Sequence, residues 1–411
     1  MSTSTLSEIV EAWGGLIQTG PFGSQLHQYD YSEQGIPVVM PKDIRNGRVD
    51  ESGIARIPEG KASQLSRHFL KAGSVVFPRR GEISKCAYIN EEQAGFLCGT
   101  GCIMIEPPEE KLRSKFLFYF LGLRQSVEWL ERNAVGTTML NLNTKILGGL
   151  KVTLFASKKQ DEIVETLSAY DDLIENNRRR IQLLEKSAQL LYKEWFVHLR
   201  FPGHEHTKII DGVPEGWRRT CLGDLCKLRA GNTFKPKYQG RREGDLPFIK
   251  VRDLSRDGNA IAVTGADNWV TLDECEEFRG KPFSKGTSVF AKIGEGLRQN
   301  RVRFIVRDTL IDNNMMGAIS DQGVAIGEYL YFLLHEQDLA NYAGGAAIPF
   351  LSSKVLENVG VLAPPMQLLL LFQAAVAPML QQVVNLEHQS AAAAKARDLL
   401  LPKLMNGDIA V

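Results

Sequence analysis

The chain has 411 residues, of which 44% are hydrophobic and 24% charged, which is typical of a folded protein with about two or three domains. Its formal net charge of +1 excludes a strongly basic nucleic-acid binder, so any such activity must come from local patches. The beginning, MSTSTLSEIVEAWGG, has no basic segment followed by an apolar run, so we expect a cytoplasmic protein. Six cysteines in a chain of this length do not indicate a disulfide framework.

The chain contains four pairs of similar phrases that occur in the same order. The pairs are 35–44 with 245–254, 73–82 with 286–295, 115–121 with 328–334, and 136–154 with 345–363. Each pair is separated by 209 to 213 residues. This repetition predicts a tandem duplication of a unit of about 200 residues.

Each copy begins with short strand-like runs, such as SVVFP and TSVFAKI, that are punctuated by glycine, proline, asparagine and aspartate. They predict an irregular, strand-rich domain that continues into a short helix. The phrases 136–154 and 345–363 share a glycine, a lysine and several apolar positions, which predict a helical turn followed by a strand. Thr137, Thr138 and Asn141 are polar only in the first copy, and they are candidate phosphate contacts.

A long helix is predicted after the first copy. No proline or glycine occurs from about Gln160 to Val197, and apolar residues with heptad spacing form a seam that Asn177 interrupts. The second copy keeps the same frame 209 residues later, with more alanine. We expect the two seams to pack on each other, with a partner chain as the alternative. The predicted seam residues are Leu167, Ile174, Ile181, Leu184, Leu191, Trp195, Val383, Leu386, Leu400 and Leu404.

The start of the second helix resembles a membrane span in composition, because no charged residue lies between Glu357 and Glu387. However, prolines and glutamines interrupt this stretch, and the equivalent stretch of the first copy is densely charged. We therefore predict a buried, partner-facing helix and no membrane contact.

These segments predict an α+β fold. Two tandem α/β domains are separated by two long antiparallel coiled-coil helices and are related by an approximate two-fold axis. The predicted boundaries are 1–155 for domain 1, 156–199 for the first helix, 200–213 for a linker, 214–364 for domain 2, and 365–411 for the second helix and tail. Two similar modules on a spacer suit duplex DNA, whose half-sites on one face recur about every 34 Å.

The order of the phrases resembles the DNA specificity (S) subunit of type I restriction–modification systems. The resemblance covers essentially the whole chain and rests on QTGPFGSQLHQYDYSEQGIPVVMPKDI, KAGSVVFPRRGEISKCAYI, GTTMLNLNTKILGGLKVTL, LLYKEWFVHLRFPG and VPEGWRRTCLGDLCKLRAGNTFKPKYQG. It implies a non-catalytic subunit with two target-recognition domains that read a bipartite, asymmetric site in double-stranded DNA with a fixed spacer. It also implies that the helices dock two methyltransferase subunits and, through them, restriction and translocase subunits.

Sequence motifs for catalysis are missing. The sequence contains no G-x-x-x-x-G-K-[ST] phosphate loop and no Asn-Pro-Pro-aromatic motif, so we assign the chemistry to partners and predict no cofactor. His204, His206, Cys221 and Cys226 lack the spacing of a metal site, so we predict no metal. A nuclease of unrecognised type and a coiled-coil scaffold that does not bind DNA stay as alternatives.

Contacts with DNA need cationic and hydrogen-bonding side chains on loops. Basic residues follow equivalent strand-like runs in both copies, and the loops GPFGSQLHQYDY and GNTFKPKYQGRREG add polar side chains. The alternatives are solvated surface charge, pairing with a carboxylate such as Asp43 or Asp253, and turns that close a sheet edge. The candidate DNA contacts are Ser24, Gln25, His27, Lys42, Arg45, Arg79, Arg80, Lys85, Asn232, Thr233, Lys235, Lys250, Arg252, Lys292, Arg298 and Arg301, with Lys237, Arg241 and Arg303 in the same loops.

Overall fold

The computed structural model describes residues 2–136, 139–256, 258–320, 324–345 and 348–409, so the candidate contacts Thr137 and Thr138 lie outside the described residues. The chain divides into two compact units. Unit 1 comprises Met1–Asp171 with Lys395–Val411, and unit 2 comprises Asp172–Ala394. Each of the two long helices contributes a segment to both units.

Unit 1 is a mixed α+β unit. Its strands are β1 (Ser2–Thr5), β2 (Leu16–Thr19), β3 (Ile36–Val39), β4 (Ile44–Arg45), β5 (Arg48–Val49), β6 (Ala55–Ile57), β7 (Val75–Pro78), β8 (Ala87–Tyr88), β9 (Leu97–Cys98), β10 (Cys102–Glu106) and β11 (Lys151–Leu154). Its helices are α1 (Leu6–Trp13), α2 (Glu59–Gln64), α3 (Ser114–Leu121), α4 (Arg124–Asn133), α5 (Thr144–Gly148) and the first part of α6 (Ser157–Tyr192).

The main sheet of unit 1 separates two apolar cores. It has the strand order β2-β10-β7-β8, and a second sheet has the order β6-β3-β9 with β3 and β9 parallel. Successive side chains of a strand point to opposite faces. Val75 and Phe77 of β7 therefore enter the core that includes α3, whereas Val76 enters the other core. β1 pairs with β11, so the first strand of the unit lies beside the strand that precedes α6.

Unit 2 is also a mixed α+β unit. Its strands are β12 (Ile209–Ile210), β13 (Val213–Pro214), β14 (Arg218–Cys221), β15 (Cys226–Ala230), β16 (Leu246–Ile249), β17 (Ala262–Val263), β18 (Trp269–Val270), β19 (Ser288–Ala291), β20 (Arg303–Ile305), β21 (Leu310–Ile311), β22 (Met315–Ser320) and β23 (Gly360–Ala363). Its helices are α7 (Leu272–Glu277), α8 (Gly294–Arg298), α9 (Val324–Glu336), α10 (Ser353–Glu357) and most of α11 (Met366–Asn406).

The strand order of unit 2 repeats that of unit 1. Strands β15-β22-β19 correspond to β2-β10-β7, and β18-β16-β21 correspond to β6-β3-β9, again with one parallel pair. β14 pairs with β23 as β1 pairs with β11. The last repeated phrase forms α5 with β11 in one copy and α10 with β23 in the other, which confirms the predicted turn and strand. The side chain of Asn143 begins α5 by accepting a hydrogen bond from the Ile146 N–H (2.8 Å).

The two long helices pack together in both units, as the heptad pattern predicts. α6 is continued by a π-helical turn, Lys193–Val197. In unit 1, Leu167 of α6 is fully buried in the same core as Leu404 of α11, and in unit 2 Ile181 packs with Val383 and Leu386. The remaining predicted seam residues are half-buried: Ile174, Leu184, Leu191, Trp195 and Leu400. The seam thus serves the packing of the chain itself.

α11 is long and apolar enough, by composition alone, to cross a membrane. Its residues Phe372, Val376 and Val383 are fully buried in the cores of unit 2. Packing within the protein thus accounts for part of the apolar composition of α11, whereas Leu370 and Leu371 of the same helix are exposed.

Candidate nucleic-acid interface

The structure brings most of the predicted loops of unit 1 together. We call residues 20–31, 40–46, 79–85, 99–101 and 139–142 loop cluster 1. The N–H of Gly20 donates to the carbonyl of Cys102 (2.9 Å), and the N–H of Arg79 donates to the carbonyl of Gly101 (2.6 Å). A Cβ atom on Gly20 would lie 2.1 Å from the carbonyl oxygen of Gly99, so only glycine permits this approach.

Unit 2 repeats this arrangement. We call residues 231–241, 250–256, 292–301, 312–314, 344–345 and 348–351 loop cluster 2. Arg303, which the sequence placed in the same loops, lies outside it. Here the N–H of Lys292 donates to the carbonyl of Asn314 (2.9 Å), as Arg79 does to Gly101. A Cβ atom on Gly231 would lie 2.1 Å from the carbonyl oxygen of Asp312, which reproduces the constraint at Gly20. The two clusters therefore share a backbone frame.

Several predicted cations of the clusters form ion pairs at the protein surface. Arg45 pairs with Asp50 (3.3 Å) and Arg252 with Asp267 (3.1 Å), while Lys85 pairs with Glu82 and Arg298 with Glu295. Exposed pairs contribute only about 0–1 kcal/mol, so a phosphate can compete for these cations.

Asp43 and Asp253 are not the partners of these cations. Asp43 accepts a hydrogen bond from the Met40 N–H (2.9 Å), and Asp253 accepts one from the Lys250 N–H (2.7 Å). Burial raises the pKa of both carboxyl groups. The two aspartates hold equivalent turns in the two copies, which corrects the pairing considered from the sequence.

Aromatic rings accompany another set of predicted cations. The guanidinium of Arg79 lies 5.7 Å from the centre of the Phe22 ring, and the ammonium of Lys250 lies 4.3 Å from that of Phe234. Lys292 and Lys235 lie over Phe350 and Phe278. A ring does not neutralise the cation, so these side chains keep their full charge for a polyanion.

The polar loop residues divide into two groups. Gln25 accepts a hydrogen bond from the Phe22 N–H (3.1 Å), and the Asn232 side chain bonds both the N–H and the carbonyl of Lys281, so these two side chains shape their loops. The ring of His27 stacks on Tyr29 with centroids 4.9 Å apart. The exposed side chains of this set, which need no rearrangement to meet a ligand, are Ser24, Lys42, Arg80 and Thr233. Arg301 is half-buried.

Three basic residues that the sequence suggested as DNA contacts instead bind other residues of unit 2. The Arg303 guanidinium donates to the carbonyl of Asn259 (2.6 Å) and lines a cavity of about 300 Å³ with Glu185 and Tyr331. Arg241 pairs with Glu274 (2.5 Å), and Lys237 pairs with Glu277 (3.6 Å). Arg303 therefore serves the interior of unit 2 and leaves the set of candidate DNA contacts.

Sequence reasoning missed the exposed aromatic residues of loop cluster 1. Tyr29 is 81% exposed and Phe22 is also exposed. Rings of this kind can stack on unpaired bases or pack against sugars. Their position in a glycine-flanked polar loop is the signal that could have identified them.

No constellation for catalysis or metal binding is found among the residues that the structure describes. No group of three His, Cys, Asp or Glu side chains comes together there in a way that could hold a metal. Burial raises the pKa of the Cys86 and Cys98 thiols to about 12, so both stay protonated and are poor nucleophiles.

Comparison with known proteins agrees with this picture. The chain matches the family model described as the type I restriction modification DNA specificity domain twice, over residues 3–186 and 214–396. It is 26% identical over 395 residues to the type I restriction enzyme MjaIX specificity subunit of Methanocaldococcus jannaschii, with 93% of this chain and 88% of that protein covered. It is 20% identical over 437 residues to the HindI specificity subunit of Haemophilus influenzae, with 89% and 93% covered.

The fold also has a solved counterpart. The crystal structure of the type I restriction–modification system S subunit from M. genitalium matches with a TM-score of 0.56 at 18% identity, covering 98% of this chain and 95% of that one. Because the family model matches both copies and most of the chain, the nuclease and scaffold alternatives fall away. The chain belongs to the type I restriction–modification DNA specificity family, as the non-catalytic subunit that binds the DNA target within the complex.

Proposed function

We propose that this subunit reads a bipartite, asymmetric site in double-stranded DNA, with one half-site bound by loop cluster 1 and the other by loop cluster 2. The observation that carries the proposal is a shared backbone frame with different side chains. Arg79 and Arg80 of the first cluster correspond to Lys292 and Ile293 of the second. Because base contacts depend on the side chains presented to the groove, the two half-sites differ in sequence.

The candidate contacts divide by role. Lys42, Arg45, Arg79 and Arg80 of loop cluster 1, with the cations Lys250, Arg252 and Lys292 of loop cluster 2, neutralise phosphates and fix the register of each domain on the duplex. Ser24 and Thr233 are exposed hydrogen-bonding groups that suit base edges.

The recognition domains comprise residues 1–155 and 214–364, and the helices 156–199 and 365–411, with the linker 200–213, fix the spacer between half-sites. Antiparallel packing of α6 and α11 within each unit supports this assignment. The spacer length then follows from the number of helical turns.

The helices also dock two methyltransferase subunits, and restriction and translocase subunits join through them in the cytoplasm. The support is a row of exposed apolar residues on α6 and its π-helical turn, Leu183, Leu190 and Val197. Residues seven apart lie on the same side of an α-helix, so Leu183 and Leu190 face away from the buried residues Ile181 and Ala188.

Methylome sequencing of a host that expresses this subunit with its methyltransferase tests the proposal. We expect a gapped, asymmetric methylated motif that disappears when the subunit is deleted. Replacing residues 1–155 by the corresponding domain of another family member should change one half of the motif only. A continuous motif, or a change in both halves, would contradict the division of labour between the two clusters.

Removing one heptad from each helix tests the spacer. The gap in the methylated motif should change while both half-sites keep their bases. A change of half-site bases with an unchanged gap would overturn the assignment of spacing to the helices.

A further inference from the structure

Two aliphatic side chains are exposed at equivalent positions of loop clusters 1 and 2. Met139 is 59% exposed and Ile348 is 62% exposed, and the repeated phrases align these two residues with each other. A single exposed aliphatic residue is ordinary on a protein surface. Here, however, an aliphatic side chain is exposed at the same position of both copies although the adjacent residues differ, and this repeated exposure suggests a function.

Equivalent backbone bonds hold the two residues at the ends of closed loops. Val135 and Asn141 exchange two N–H···O bonds (3.0 and 2.9 Å), and so do Gly344 and Phe350 (2.9 and 2.8 Å). A further backbone bond is the same in both copies: the Gly81 N–H donates to the carbonyl of Leu140 (3.1 Å), and the equivalent Gly294 N–H donates to the carbonyl of Pro349 (2.9 Å). We call the described residues of 135–142 and 344–351 the tip loops.

A glycine in each tip loop makes this shape possible. Gly136 has a φ of 113° and Gly345 has a φ of 92°, a region that favours glycine. A Cβ atom there would lie 2.4 Å from the Met139 carbonyl oxygen and 2.6 Å from the Ile348 carbonyl oxygen. The backbone around each exposed side chain is thus built in the same way twice.

The base of each tip loop carries a cation. The carbonyl of Arg79 accepts the Leu142 N–H (2.8 Å), and the carbonyl of Lys292 accepts the Leu351 N–H (2.8 Å). Arg80 also forms a β-bridge with Asn141. Each aliphatic side chain therefore projects from a loop whose base carries positive charge, an arrangement suited to a polyanion with an apolar interior.

We propose that Met139 and Ile348 are apolar wedges that press against the base stack, one in each half-site. The inference rests on the proposed function, because it requires both clusters to bind DNA. Minor-groove proteins insert single Met, Ile, Leu or Phe side chains between base steps. A protein partner is less suited to these positions, since a specific protein interface buries about 800 Å² on each side, whereas the described residues of each tip loop expose two large apolar side chains, Met139 with Val135 and Ile348 with Phe350.

The test uses the complex of the full chain with its methyltransferase and the DNA site that methylome sequencing identifies. The probe is 2-aminopurine fluorescence, with the analogue placed at each purine position in turn except the methylated base. The wild-type complex should raise the fluorescence at one base step in each half-site, because a wedge unstacks the neighbouring base. The absence of such a step in either half-site overturns the inference.

Two single variants assign the wedges. M139A should remove the fluorescence increase in one half-site only, and I348A should remove it in the other, each with roughly tenfold weaker binding. The conservative variants M139L and I348M should retain the signal. Leu272→Ala is the matched control, because Leu272 is 57% exposed on α7, outside both clusters and the linker; it should bind DNA like the wild type.

The outcomes separate this inference from the proposed function. In one outcome, the double variant R79A/R80A does not bind the site, whereas M139A and I348A bind and fluoresce like the wild type. This result would show that the clusters bind DNA, and it would overturn the proposal that Met139 and Ile348 are wedges. If M139A and I348A instead prevent assembly with the methyltransferase, the tips contact protein and the inference also fails. If the wild-type complex does not bind the gapped site, the proposed function itself fails.

Discussion

In each unit a short helix, α3 in unit 1 and α9 in unit 2, packs on the long helices, and the contacting residues at equivalent positions differ in chemistry. In unit 1 the Tyr119 hydroxyl of α3 donates to Asp171 of α6, and Arg397 of α11 donates to the other carboxylate oxygen, both at 2.5 Å. The corresponding residues of unit 2 are Phe332, Leu380 and Ala188, which are buried in a single apolar core. At these three positions the same architecture thus uses a charged network in one copy and apolar packing in the other.

A second pair of positions shows the same contrast. Gln160 of α6 is fully buried, and its side chain makes three backbone hydrogen bonds of 2.9 Å, to Lys111, Arg113 and Phe155. Its counterpart in α11 is Leu369, which is buried in the apolar core of unit 2. Hydrogen bonds fix direction, whereas apolar packing tolerates small rotations. At this second pair of positions, unit 1 again uses specific hydrogen bonds where unit 2 uses apolar packing.

The largest expected effect concerns the apolar core of unit 2. Phe372 of α11 is fully buried and contacts the rings of Tyr192, Phe196 and Phe332. Phe372→Ala should lower the free energy of unfolding by about 3–5 kcal/mol, because it leaves a cavity among aromatic rings. Urea unfolding followed by tryptophan fluorescence measures this loss. Phe372→Leu is the control and should cost less; a loss below about 1 kcal/mol for the alanine variant would show that the cluster can close around the cavity.

The next prediction concerns the hydrogen bonds of Gln160 in unit 1. Gln160→Leu introduces the residue found at the equivalent position of unit 2, yet it should destabilise the chain by about 1–3 kcal/mol because three backbone groups, one buried and two part-buried, lose their partner. Leu369→Gln is the reciprocal change, and it should destabilise by a similar amount because it buries an unpaired amide. Thermal unfolding of both variants measures the effect. Stability equal to the wild type for Gln160→Leu would refute the role assigned to these bonds.

A third prediction concerns a buried acid that is an exception in the apolar unit. Glu387 is 4% exposed, one oxygen accepts the Ala260 N–H (3.2 Å) and the other has no hydrogen-bond partner, with Glu185 and Arg303 nearby. Burial raises the pKa of Glu387 to about 8, against about 4.3 for a free side chain. Between these values the unfolded chain loses the proton first, so stability falls as the pH rises and the loss is complete above pH 8.

Glu387→Gln tests this sign, because glutamine stays neutral at every pH. The variant should match the wild type near pH 4 and exceed its free energy of unfolding by roughly 1–3 kcal/mol at pH 9. Unfolding curves across this range measure the difference. Exposed Glu243 provides the control, since Glu243→Gln should leave the pH dependence unchanged. A difference that grows towards low pH would reverse the assignment.

The smallest expected effect comes from transferring the apolar solution to unit 1. The triple variant Tyr119→Phe, Asp171→Leu, Arg397→Ala should stay within about 1.5 kcal/mol of the wild type, because replacing a whole ion network is often nearly neutral. Asp171→Leu alone should cost more than the triple variant, since it leaves Arg397 half-buried without this partner. Unfolding at low and high salt compares them. A triple variant less stable than the single one would show that the network stabilises beyond its charges.

Local periodicity made the helices predictable from the sequence, whereas long-range side-chain partners were not. The absence of proline and glycine and the heptad spacing predict a helix from Gln160 to Val197, and the structure has Ser157–Tyr192 with a π-helical turn to Val197. The prediction that the seams pack on each other is confirmed. The partners of Arg45 and Arg252 could not be predicted, because Asp50 and Asp267 reach them only through the turns of the folded loops.

The tip loops illustrate the same limit. The repeated phrases align Met139 with Ile348 and Leu142 with Leu351 as matching apolar pairs, and all four then resemble core residues. The structure buries only the leucines. Hydrophobicity alone does not tell a core position from an exposed one when loop closure depends on bonds to a distant strand, and the DNA contacts therefore stay predictions.

The pairing of β14 with β23 determines how the second domain is inserted into the chain. The polypeptide comes in along one strand and goes out along its antiparallel neighbour, and neighbouring strands lie about 4.8 Å apart. The domain is therefore a closed loop on a narrow stem. Replacing the sequence between these two strands leaves the two ends of the stem in place, so under the proposed function a new half-site specificity requires no redesign of the helices.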